Sequence, residues 1–153
     1  MKKEVLKEPI YVEEIVDIIR SGLSNEEIKE KLNDYHDNDI AQSLELLNKS
    51  ERLHLYNILG SEWMSEIISY VEDPDDYIKE LGIYKLAEII NEMDADDAVD
   101  LLEDIDENVK VKLRSILDED VQADIRLINS YDVDEIGSLI TTNFICIKDN
   151  LTI

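Results

Sequence analysis

The acids between Glu88 and Glu107 are the residues of this sequence best placed to do chemistry. Ten carboxylates fall in that stretch and no Lys or Arg interrupts them. Asp96 and Asp100 stand at i, i+4. Asp97, Asp100 and Asp104 continue along the same side, opposite Ala98, Leu101 and Ile105. Like charges so placed cost a helix roughly 0.2–0.5 kcal/mol per pair, a cost that a bound cation relieves. Hard oxygen donors suit Mg2+ or Ca2+, and Mg2+ typically takes one or two carboxylates while keeping its waters, so it needs no elaborate cage. An EF-hand is excluded, because its glycine and its alternating ligands are missing. The same acids also suit a plain solvated face, since first-turn acids complement the helix dipole.

Two short helices must position these residues. Ile83, Leu86, Ala87 and Ile90 make one buried stripe, and Ala98, Leu101, Leu102 and Ile105 make the next. Between them Asp94 can cap the second helix while Asp97, three residues on, reaches back toward its amide. The outer surface of the pair is then a strongly negative ledge.

The rest of the chain repeats this pattern. Stripes recur at Val12–Ile19, at Ile28, Leu32 and Tyr35, within Asp39–Asn48, from Ser50 to Leu59, at Met64–Val71, at Tyr77–Leu81, at Val109–Leu117 and at Val121–Ile128. Ser24 with Glu27 forms a capping box, Ser61 can cap another helix, and Asp73-Pro74 opens a short one. Gly22, Gly60 and Gly82 each follow a stripe, where a left-handed C-cap belongs. The expectation is an all-α fold of about ten short helices. Aliphatic doublets such as Ile58-Leu59, Ile89-Ile90 and Leu101-Leu102 recur through it, several of them eleven or twelve residues apart. A unit that short cannot bury its own face, so an α-solenoid-like superhelical stack is expected in preference to a closed bundle. From Gly137 the character changes: Thr141, Thr142, Phe144, Ile145 and Ile147 are strand material, with a turn at Asp149-Asn150.

Composition sets limits on partners. The 153 residues carry 15 basic and 38 acidic side chains, a net charge of −23, which argues against nucleic acid and favours cationic partners. With 44% hydrophobic residues in regular periods, the chain has enough apolar surface to fold. One cysteine, Cys146, excludes an internal disulfide framework and suits the cytoplasm. No run of eighteen apolar residues occurs, so this chain is not expected to insert in a membrane. His36 and His54 stand alone and are assigned no role. Trp63 and the tyrosines read as packing, and no phosphate loop, nucleophile elbow or zinc-helix motif marks an enzyme.

The acidic corner from Lys85 to Leu102, then Leu113-Arg114-Ser115-Ile116-Leu117, then Tyr131-Asp132-Val133-Asp134-Glu135-Ile136-Gly137 running to Thr141-Thr142, resemble the cytoplasmic N-terminal domain of the MgtE family of magnesium transporters. The likeness covers roughly residues 37 to 153. It implies a helical domain over 1–131 and, over 132–153, a linker and the first strand of a CBS module. A single strand does not justify carrying over the adenosine binding of complete CBS pairs. It further implies a regulatory module that senses Mg2+ through Asp96, Asp97 and Asp100 and closes a pore. Its partners would be the CBS and pore domains of the same homodimeric transporter. The alternative is a helical-repeat adaptor without metal sensing, as in the flagellar switch protein FliG.

Overall fold

A computed structural model of the chain describes residues 11–103 and 105–130. Among the described residues there are nine α-helices, one 3-10 turn and no strand, as the apolar periods require. The strand expected after Gly137 and the domain boundary at 131/132 lie outside them. No described helix is long and apolar enough to cross a membrane. The chain forms two compact units, Met1–Glu80 and Leu81–Ile153.

The first unit contains α1 (Tyr11–Arg20), α2 (Asn25–Leu32), α3 (Asp37–Ser43) with a 3-10 turn at Leu44–Leu46, α4 (Lys49–Ser69) and α5 (Asp75–Leu81) up to Glu80. Ile15, Val16 and Ile19 give α1 its buried stripe, and α1 packs on α2, α3 and α4. Leu32, Ile40 and Leu55 are wholly buried at the meeting of these helices. The expected Ser24–Glu27 capping box is present: Ser24 Oγ accepts the Glu27 N–H at 3.3 Å and Glu27 Oε2 accepts the Ser24 N–H at 2.9 Å. A second box, Asn48 with Glu51, starts α4 two residues before Ser50. The stripe of Asp39–Asn48 does not form one helix. It breaks into α3 and the 3-10 turn, which still buries Leu44 and Leu47. Trp63 is half-buried and donates from Nε1 to Asp37 Oδ1 at 2.7 Å, which ties α4 to α3.

Two glycines set the corners. Gly60 (φ 82°, ψ 173°) and Gly82 (φ 77°, ψ 157°) occupy a region open essentially to glycine alone. Gly60 divides α4 into arms 49–59 and 61–69, which gives the ten helical segments that the stripes count out. Neither glycine is a left-handed C-cap in the expected sense, because ψ is extended and the chain turns sharply instead of coiling on. Gly22 has no positive φ at all. Its role is taken by Ser21, whose N–H and Oγ both donate to the Ile18 carbonyl and close α1 before Gly22 is reached.

The second unit holds α6 (Ile83–Glu92), α7 (Ala95–Glu103), α8 (Glu107–Arg114) and α9 (Glu119–Ile128). Here α6 packs on α8 and α7 on α9. Ile89, Ile90, Ala98 and Leu113 are wholly buried, while Ala95, Val99 and Ile128 form a cluster with Ile125 against it. The start of α9 is fixed to α6 by the Asp118 N–H, which donates to Asn91 Oδ1 at 3.1 Å.

Candidate functional site

The acidic corner is as tight as its sequence demands. Only Met93 and Asp94 separate α6 from α7. The Met93 N–H closes α6 on the Ile90 carbonyl at 3.3 Å, and the Asp94 carbonyl accepts the first bond of α7 from Ala98 at 2.9 Å. Asp94 thus occupies the N-cap position, which puts Asp96 and Asp97 in the first turn, where their charge complements the helix dipole.

Burial on α7 is broader than a single stripe. Ala95, Ala98, Val99 and Leu101 are all buried, and Ile105 beyond the helix is buried too. Val99 was not part of the stripe read from sequence; it turns toward α9 and joins Ile128. Leu102, which was, is only half-buried. With two adjacent faces covered, the polar arc left to α7 is narrow and consists of Asp96, Asp97, Asp100 and Glu103. Asp104, the expected continuation of the row, lies outside the described residues.

The three candidate ligands do not share one environment. Asp100 is exposed, whereas Asp96 and Asp97 are half-buried. Asp97 already has a polar or electrostatic partner within the chain. Asp96 differs: its Oδ1 is buried and accepts no hydrogen bond. A buried carboxylate oxygen without a donor costs free energy, about 1–3 kcal/mol for an ordinary polar group and more for a charged one. Asp100 sits one helical turn further on, with about 5–6 Å between Cβ atoms at that spacing. Mg2+ is usually bound through one or two carboxylates while it keeps its waters. Among the described residues no group of three or more Asp, Glu, His or Cys could hold a metal ion. Of the three acids read from the sequence, Asp96 and Asp100 stand one turn apart on the polar arc of α7, with Asp97 beside them.

Sequence reasoning missed a second feature of this unit. A cavity of about 650 Å³ opens between α7, α8 and α9, with Val99, Leu113 and Ile125 in its apolar lining and Lys110, Arg114 and Arg126 at its wall. The only signal in the sequence is that the bases withheld from the ledge return at Lys110, Lys112 and Arg114. Arg126 joins them only through the packing of α9.

Residues 35–134 match the family described as the MgtE intracellular N domain. No curated protein matches the chain in sequence. Solved structures resemble it, among them two magnesium-transporter domains. One, the soluble part of a magnesium transporter, is 25% identical with a TM-score of 0.76 and is matched over 88% of this chain and 54% of that one. The other, the cytosolic domain of the Mg2+ channel MgtE in complex with ATP, is 23% identical with a TM-score of 0.68 over 85% of this chain and 54% of that one. The chain thus spans about half the length of the structures it resembles. The second likeness speaks for the fold alone. The match to more than half of the sequence places the chain by descent: it belongs to the family of the MgtE intracellular N domain.

Proposed function

We propose that the chain is the Mg2+-sensing part of a magnesium transporter and that it regulates the pore through Asp96 and Asp100. The observation that carries this reading is the buried Asp96 Oδ1 without a hydrogen-bond donor, one turn from the exposed Asp100. Family membership and the likeness to a magnesium transporter's soluble part support it.

Bound Mg2+ would supply positive charge between carboxylate surfaces that otherwise repel. The work of this chain is to present the acids. The two-residue corner fixes the first turn of α7, burial of Ala95 and Val99 on α9 sets its rotation, and the side chains of Asp96 and Asp100 are left on its outer arc. Oδ1 of Asp96 is buried, so an ion would meet Asp96 only through its second oxygen, with the exposed Asp100 one turn away. Two carboxylates on one helix give weak affinity. Acids from the CBS and pore domains of the same transporter complete the site, and low Mg2+ leaves the negative surfaces free to separate.

The test uses the chain itself. Its melting temperature is followed against Mg2+, with Na+ at matched ionic strength to subtract screening. The expected result is an upward shift specific to Mg2+ that is largely lost in the Asp96→Ala, Asp100→Ala double variant. An identical Mg2+ response in both proteins overturns the assignment of these residues.

A further inference from the structure

The cavity between α7, α8 and α9 has a chemistry opposite to that of the ledge. Its apolar lining includes the half-buried Leu102 and Ile125, backed by the buried Leu113 and Leu117. At about 650 Å³ it falls within the range of small-molecule sites, roughly 300–1,000 Å³. Three of the chain's 15 basic side chains line it, although the protein carries a net charge of −23.

These three cations are not equally available. Lys110 is engaged, with its Nζ donating to the Glu103 carbonyl at 3.3 Å and lying 3.9 Å from Glu107. Arg114 on α8 and Arg126 on α9 make no hydrogen bond or ion pair with any described residue, in a chain with 38 carboxylates. Glu103 and Glu107 also border the cavity; Glu107 is matched with Lys110, so one acid faces two unmatched guanidinium groups. Arg114 and Arg126 are exposed where they line the cavity, and planar guanidinium groups bind an anion through forked hydrogen bonds.

We propose that this cavity is a binding site for a small amphipathic anion, an aromatic or aliphatic body carrying one phosphate, sulfonate or carboxylate head. The body lies on the half-buried Leu102 and Ile125, and the head is held between Arg114 and Arg126. The site is independent of Mg2+ sensing: it uses other residues and the opposite charge.

The probe is 8-anilinonaphthalene-1-sulfonate, an aromatic body with a sulfonate head, titrated into the full chain while its circular dichroism confirms the native fold. Saturable binding with one-to-one stoichiometry and blue-shifted emission is expected. Arg114→Gln with Arg126→Gln should weaken it by about tenfold or more through the loss of charge-assisted bonds, with the melting temperature unchanged. Lys112→Gln, a nearby exposed base outside the cavity, should leave it unaltered. Absence of saturable binding, equal binding by the double variant, or an equal loss with Lys112→Gln each overturns the proposal. A concentration-dependent dimer abolished by the double substitution also overturns it, because the cavity would then belong to a second copy of the chain.

Discussion

Arg52 and Glu80 form a two-pronged pair, Nε donating to Oε2 at 2.8 Å and Nη2 to Oε1 at 2.5 Å. The same guanidinium donates from Nη1 to the carbonyls of Leu44, at 3.2 Å, and Leu47, and it lies 5.1 Å from the centroid of the Tyr77 ring. One side chain thus binds α5 to α4 and secures the 3-10 turn that α3 could not continue as helix. The bond from Arg52 holds the Glu80 carboxyl below its usual range.

Removing Arg52 leaves the Glu80 carboxylate and the Leu47 carbonyl without their donor, while Leu44 keeps the Leu47 N–H, at a site where both side chains are less than one-fifth exposed. Arg52→Ala is expected to destabilise the fold by about 2–3 kcal/mol. Arg52→Lys should recover only part of that, since an ammonium cannot fork. Urea unfolding of both variants measures the difference. A loss under about 0.5 kcal/mol, the scale of an exposed pair, contradicts the assignment.

Glu51 makes stability depend on acid. Its carboxylate accepts from Arg20 Nε at 2.8 Å and Nη2 at 3.1 Å, and from the Asn48 N–H at 2.8 Å. The Arg20 bond, first, and the cap bond hold its pKa down to about 2. The native state therefore prefers the charged form. Its contribution is complete above the unfolded value of about 4.3 and is lost as pH falls toward about 2. Wild type and Glu51→Gln should differ most in urea midpoint above about pH 5 and converge below it. A gap that stays constant with pH would rule out this linkage.

Gly60 and Gly22 should respond to alanine with opposite signs. Nothing lies within 4 Å of a Cβ built at either position, so crowding does not decide the outcome. Backbone conformation does. Gly60→Ala places a side chain at φ 82° and should cost about 1–3 kcal/mol. Gly22→Ala, without a positive φ to satisfy, should be neutral or stabilising by up to about 1 kcal/mol through the unfolded state. Equal melting temperatures for the two variants would contradict the corner assigned to Gly60.

The contrast between these glycines shows how much of the fold was legible beforehand. Helix positions, the all-α class and the Ser24 cap follow from local periods and local hydrogen bonds, which one segment of sequence contains in full. A glycine after a stripe looks the same whether the helix ends at it or, as at Gly22, just before it through Ser21. The Asn48–Glu51 box has the same spacing as the Ser24–Glu27 box. In the candidate site, the acids and their turn of helix were legible. The isolation of the Asp96 oxygen was not, because it depends on which neighbours bury α7. Val99 lay off the chosen stripe, and its burial follows only from the docking of α9. The cavity bounded by Arg114 and Arg126 is likewise a product of helix packing and leaves no periodic trace.

Transport measured against internal Mg2+, in an intact transporter carrying Asp96→Ala and Asp100→Ala, tests the central claim most directly. On the proposed function, removing both carboxylates would remove the repulsion that opens the assembly and the acids that bridge it. The account predicts that closure loses its Mg2+ dependence while conduction through the pore survives. An inhibition curve unchanged from the wild type would contradict it, and so would a loss of transport in a folded protein.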